Sequence, residues 1–204
     1  SWADAYQGAA GLQAGIDDGS GDVYVAAGTY DPIVLATDAV VLGGFNNGDA
    51  LGDRDPAAKI AIIDGGGAAT CVIADSVQNM TIDGFTLQNG EATTDIGSGT
   101  AGGGLYASAL DNTTTIQNLV ITGCNATGAG GGMYLAGSTP ALSDCLVDSN
   151  TSDGNAGGAQ FSNCAGLTVT NCTFSFNTGG GQGGGATATG GSYTFDGCDF
   201  AENT

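Results

Sequence analysis

The chain has 204 residues, among them 39 glycines, six cysteines and no histidine, and it carries a net charge of −19 from 21 acidic residues against two basic ones, Arg54 and Lys59. So few cations argue against a nucleic-acid or anionic-membrane partner, and the lack of histidine removes His-dependent triads and His-ligated metals. With 41% hydrophobic and 11% charged residues the chain is not a disordered acidic segment, and its length suits one domain.

The first element in chain order is a helix over residues 2–17. Trp2, Ala5 with Tyr6, Ala9, Leu12 and Ile16 recur at helical spacing and form one apolar stripe, with Ser1 as N-cap. Gly8, Gly11 and Gly15 each weaken it by about 1 kcal/mol relative to Ala, so it needs tertiary support. Residues 1–20 therefore read as an N-terminal capping α-helix, closed by the turn cluster Asp17-Asp18-Gly19-Ser20-Gly21-Asp22. No basic, signal-like region opens the chain, and no apolar run reaches the ~18 residues of a membrane span, so membrane insertion is not expected in this segment. A mature or trimmed chain is expected.

Residues 21–204 read as an all-β domain built on an internal repeat. Ile82, Ile116, Leu142, Val169 and Phe195 form one column, and Phe85, Leu119, Cys145, Cys172 and Cys198 stand three residues later. Leu87, Ile121, Val147, Phe174 and Phe200 follow five residues after the anchor. An upstream column holds Cys71, Leu105, Met133, Ala159 and Ala186, with Ile73, Ala107, Leu135, Phe161 and Ala188 two residues on. The period is 26 or 27 residues apart from one interval of 34, which places a loop-like insertion at about residues 91–101. Each repeat thus contains three short strands with inward residues at period 2.

One column defines the geometry. Gly84, Asn118, Asp144, Asn171 and Gly197 fall between the second and third strands, and these residue types tolerate left-handed backbone. A tight corner at the same place in each repeat predicts a parallel β-helix of three strands per turn and about six turns. At ~4.8 Å per turn the rod would be on the order of 30 Å long. Glycine tracts at 102–104, 130–132, 157–158 and 183–185 precede each first strand, where stacked corners leave little room for side chains.

Gly131-Gly132-Met133-Tyr134 and Phe174-Ser175-Phe176-Asn177, with the looser Phe200-Ala201-Glu202-Asn203, resemble polymorphic outer membrane protein repeats. Ser1-Trp2-Ala3-Asp4-Ala5, the run from Gly21 to Tyr30, Gly43-Gly44-Phe45 and Arg54-Asp55 are similar to secreted bacterial right-handed β-helix proteins. The resemblance spans essentially the whole chain. It implies a right-handed coil, an extracellular or cell-surface location, and an adhesin, passenger or other surface role without a shared catalytic motif.

Several residue sets could carry chemistry. Surplus Asp suits Ca2+, and the candidate sets are Asp17, Asp18 and Asp22, and Asp49, Asp53 and Asp55, although neither matches an EF-hand loop. No other cofactor is indicated. A carboxylate-only glycosidase would draw on Asp144, Asp148, Asp196 and Asp199, whereas corner-forming Asp is the plainer reading. Cys145, Cys172 and Cys198 share an inward column in which one disulfide could form, and Cys71, Cys124 and Cys164 have no evident partner above or below. Thr81, Thr115, Ala141, Thr168 and Thr194 form a nearly continuous hydroxyl ladder, which is either an ordinary exposed strand or a water-ordering, ice-binding face. Tyr106, Tyr134, Val120 and Leu146 are expected to face outward, and with Phe200 they are candidate interface residues. Sequons begin at Asn79, Asn112, Asn125, Asn150 and Asn171.

The sequence reading is therefore a non-catalytic, secreted structural protein: a surface adhesin, or a filament subunit that self-associates by stacking its coil. A carbohydrate-binding or carbohydrate-active β-helix and a passenger fragment of a larger autotransported protein are the alternatives.

Overall fold

The structure, a computed structural model, describes residues 11–19, 21–93 and 100–204. The first part of the expected helix, including its Ser1 cap, Trp2, Tyr6 and Ala9, and positions 94–99 of the expected insertion lie outside the described residues.

The chain coils into stacked parallel sheets, as the repeat predicts. A first face holds six strands, Ile33–Val34, Val72–Asp75, Leu105–Ser108, Met133–Ala136, Ala159–Ser162 and Ala186–Thr189. A second face has seven, from Val23–Ala26 through Thr115–Gln117 to Ser192–Asp196, and a third has seven, from Gly28–Tyr30 through Val120–Thr122 to Asp199–Ala201. The coil is thus seven layers deep on two faces rather than about six, because the short strands before residue 60 stack in line with the later repeats. The structure also adds a small ladder to each of four turns: Glu91–Ala92, Asn125–Ala126, Thr151–Ser152 and Thr178–Gly179. These two-residue strands are too short to show period 2 in sequence.

Register follows the inward columns. Ile116 pairs with Ile82 and Leu142, and Ile121 pairs with Leu87 and Val147, with all six residues essentially inaccessible to solvent. One column is off by a residue. Leu105 pairs with Val72, not Cys71, and Ala107 with Ala74, not Ile73. Cys71 and Val72 are both fully buried, so hydrophobicity alone cannot place the strand, and a one-residue slip exchanges its faces.

The corner column adopts the expected conformation, with φ of 79° at Gly84, 51° at Asn118, 55° at Asp144, 52° at Asn171 and 64° at Gly197. The described part of the helix, Gly11–Asp18, buries Leu12 and Ile16 in the core against the first coil. Its Gln13 side chain accepts a hydrogen bond from Val34 N at 2.7 Å and donates one to Val34 O at 3.0 Å. The amide thus satisfies backbone groups at the edge of the first face, where an open edge would expose unpaired groups.

Candidate functional site

Two walls of the coil face each other inside the small-ladder corner and form a polar slot. One wall stacks Cys71, Gly104, Gly132, Gly158 and Gly185; the other stacks Gly90, Cys124, Asn150, Asn177 and Asn203. At each level one wall contributes a side chain and the other a glycine. A Cβ on Gly132 would lie 2.8 Å from Asn150 Nδ2, on Gly158 2.9 Å from Asn177 Nδ2, and on Gly185 2.8 Å from Asn203 Nδ2. The lowest level reverses the arrangement, since a Cβ on Gly90 would lie 2.9 Å from Cys71 Sγ.

The asparagines form a buried ladder. Asn177 Oδ1 accepts from Asn150 N at 2.9 Å and Asn150 Nδ2 at 3.0 Å, while Asn177 Nδ2 donates to Val147 O at 2.8 Å and to Asn203 Oδ1 at 3.1 Å. Asn150 Oδ1 accepts from Cys124 N at 3.0 Å, and Asn203 Nδ2 donates to Phe174 O at 2.8 Å. Both Asn150 and Asn177 are fully buried, so each bond matches a polar group that water cannot reach. Burial also closes the Asn150 sequon, whereas Asn79, Asn112 and Asn171 are exposed.

The acidic residues are used locally. Asp49 pairs with Lys59 Nζ at 2.8 Å and accepts from Asn46 N at 2.6 Å; Asp53 Oδ2 accepts from Ala50 N, and Asp55 Oδ1 from Ala57 N and Ala58 N. The Lys59 ammonium also bonds Asp53 O, so a cation of the chain itself occupies the region where Ca2+ was expected. Asp17 accepts from Gln13 and Asp22 from Tyr24. Among the described residues no three carboxylates or thiols are gathered as a metal cage, and neither candidate Ca2+ set converges.

Arg54 staples its loop to the coil. Its Nε donates to Gly43 O at 2.7 Å, and its guanidinium meets the Asp83 carboxylate at 2.8 and 2.9 Å. Gln117 and Asn118 donate to the same carboxylate at 3.0 and 2.8 Å. Burial pushes the Asp83 carboxyl up, but the bonds from Arg54, Asn118 and Gln117 together hold it below the usual range. Asp64 is likewise held low, by Gln88, Gly66 N and Asn89, and Asp111 by Thr113. A general acid at neutral pH needs the opposite shift.

Of the four Asp considered for glycoside hydrolysis, Asp144 and Asp148 are engaged in hydrogen bonds between or within layers. Asp144 accepts from Asn171 at 3.3 Å, and Asp148 accepts from Ser149 and Ser175 at 2.8 and 2.7 Å. The strand Leu146–Asp148 separates them; four extended residues span roughly 13 Å, beyond the ~5–9.5 Å between catalytic carboxyls. Asp196 ends a second-face strand and Asp199 begins a third-face strand, and both are exposed.

The outer faces carry the remaining candidates. Thr81, Thr115, Ala141, Thr168 and Thr194 are in register, so the hydroxyl ladder is real. Beside it a shallow cleft of about 290 Å³ is lined by residues including Asn112, Ser143, Thr168 and Thr170. Val120 and Leu146 pair side by side on the third face and are 36% and 37% exposed. Tyr106 corrects the expectation of an open aromatic stack. It stacks on Tyr134 with centroids 5.8 Å apart, but it is only 3% exposed and Tyr134 is half-buried. Phe200 belongs to an inward column, stacks on Phe174 at 4.9 Å, and is 47% exposed.

All six cysteines are thiols. Cys145 N lies 3.5 Å from Cys172 Sγ, which places these two in the expected column with Cys198. The sequence misses a second pair. Cys71 and Cys124 touch in the slot, although they lie in different columns.

A right-handed coil of this kind defines a fold family, and residues 61–204 match the model described as a right handed beta helix region. The chain belongs to that family. Among solved structures it is similar to a protein of Parabacteroides merdae ATCC 43184 named a "putative glycosyl hydrolase", at 14% identity and a TM-score of 0.51 over 93% of this chain and 89% of that one. At that identity the likeness concerns the fold alone. No curated protein matches the sequence.

Proposed function

We propose that this chain is a non-catalytic structural β-helix of the cell exterior, an adhesin-like or self-associating rod whose outer faces are its working surface. The observation that carries this reading is how the carboxylates are used. Asp144 and Asp148 bond the next layer, Asp83 anchors Arg54, and Asp49 pairs with Lys59. They hold the coil together instead of converging on a substrate. The exposed pair Val120 and Leu146 supplies an apolar strip for contact with a second copy. The charge of −19 opposes that contact until cations screen it, so association is expected to depend on salt or Ca2+. The repeats' resemblance to surface proteins supports an extracellular location.

The hydroxyl-lined cleft favours one second reading, a carbohydrate-binding face built from Asn112, Ser143, Thr168 and Thr170. A glycan array combined with a polysaccharide hydrolysis screen separates the two. The structural reading expects neither binding nor product release. Reducing-sugar release that is lost in Asp144→Asn or Asp148→Asn protein would overturn it.

A further inference from the structure

The polar slot holds two thiols where its upper levels hold one asparagine each. At its lowest level the side chain comes from the wall opposite to that used above. Cys71 therefore projects from the glycine wall, and Cys124, one layer higher, projects from the asparagine wall. The two converge on Gly90: Cys124 Sγ lies 3.4 Å from Gly90 N, and Cys71 Sγ would lie 2.9 Å from a Cβ at that position. Cys71 Sγ also donates to Gln88 O at 3.2 Å, and Cys124 Sγ lies 3.8 Å from Leu87 O, so both sulfurs sit at the end of the same third-face strand.

Facing walls matter for bond formation. A disulfide needs Cβ atoms about 3.8 Å apart, with their bond vectors directed toward each other. Cys145 and Cys172 stack at one corner, each just before a third-face strand of successive layers, so their Cβ atoms are held near the ~4.8 Å layer spacing and point the same way. Cys71 and Cys124 escape that constraint because they approach from opposite walls.

We propose that Cys71 and Cys124 form a disulfide across the slot, cross-linking two successive layers of the coil. The bond forms by thiol–disulfide exchange with a small disulfide such as oxidised glutathione. One thiolate attacks the oxidant and releases one glutathione thiol. The second thiolate then displaces the other, so two protons and two electrons leave the protein. Both thiols are essentially inaccessible, at 0% and 1% exposure. Contact with Cys124, together with burial, pushes the Cys71 thiol up, which keeps it protonated once the slot is closed. Oxidation therefore accompanies folding and does not follow it.

The test is refolding of the full chain from denaturant in a mixture of reduced and oxidised glutathione, followed by denaturation, alkylation and peptide mass spectrometry. The expected product has lost two of its six alkylatable thiols and yields a linked peptide joining Cys71 to Cys124. Folded, reduced protein given the same mixture should oxidise far more slowly. Cys71→Ser protein should keep all its remaining thiols and lose the rise in melting temperature that oxidation gives the wild type. Full alkylation of all six thiols after oxidative refolding, or a linked peptide joining only Cys145 to Cys172, would overturn the proposal.

Discussion

At the residue scale, stability depends on small polar side chains in places that water does not reach. Asn177 makes four side-chain hydrogen bonds within the slot and a fifth, from its backbone N–H, to Asn203. Asn177→Ala leaves Asn150 N without its partner and removes the side-chain donor to Val147 O, at about 1–3 kcal/mol for the unsatisfied group. A loss of about 3 kcal/mol corresponds to a fall in melting temperature on the order of 10 °C, measurable by calorimetry. Asp83 gives a pH dependence. Its carboxyl is held below its ordinary value, so its contribution is complete above the unfolded pKa near ~3.9 and is lost as pH falls through the lower folded value. Arg54→Ala strands the buried carboxylate, at a cost of about 3 kcal/mol near neutral pH, and should flatten the acid limb of the stability profile. Urea denaturation across acid and neutral pH reads both effects. The slot was only partly legible in sequence. Gly132 with Asn150, Gly158 with Asn177 and Gly185 with Asn203 recur at separations of 18, 19 and 18 residues, but isolated Asn reads as turn chemistry or a sequon. The role becomes visible only when the walls face each other.

At the element scale, corners set the shape. The column from Gly84 to Gly197 was legible because all its members are Gly, Asn or Asp. Other left-handed columns were hidden by their composition. Ser76, Ala109, Gly137, Asn163 and Gly190 turn the end of the first face, and Asn89, Gly123, Ser149, Phe176 and Glu202 turn the end of the third. Ala, Phe and Glu would not be chosen for that conformation locally, so the hydrogen bonds to neighbouring layers impose it. Phe176 is the bulkiest of these, with φ of 53° and a side chain 54% exposed. Backbone strain of this kind costs about 1–3 kcal/mol, and little apolar burial is forfeited by removing it. Phe176→Asn should therefore stabilise the protein by about 1 kcal/mol, a rise of about 2–4 °C in melting temperature. The helix shows the same limit of local reading. Its apolar stripe is visible in sequence, but the pairing of Gln13 with Val34 depends on where the first face begins.

At the scale of the whole molecule, the repeat determines nearly everything except what the rod does. Three strands per turn, their parallel order and the inward columns were readable because one geometry is repeated and each repeat reinforces the last. The slip at Cys71 and the burial of Tyr106 become visible only once the layers are stacked in register. The candidate metal sets failed to converge for a related reason: Asp49 and Asp53 share Lys59, and Asp55 caps its own turn. What distinguishes the molecule is a long coil with a charge of −19 and an exposed Val120–Leu146 strip. Sedimentation velocity of the wild type and of the Val120→Asp, Leu146→Asp double variant, at rising protein concentration with and without Ca2+ or added salt, tests the central claim most directly. The account predicts that cations shift the wild type to larger species, and that the double variant stays monomeric under the same conditions. A single monomer boundary for the wild type at every concentration and cation level would contradict it.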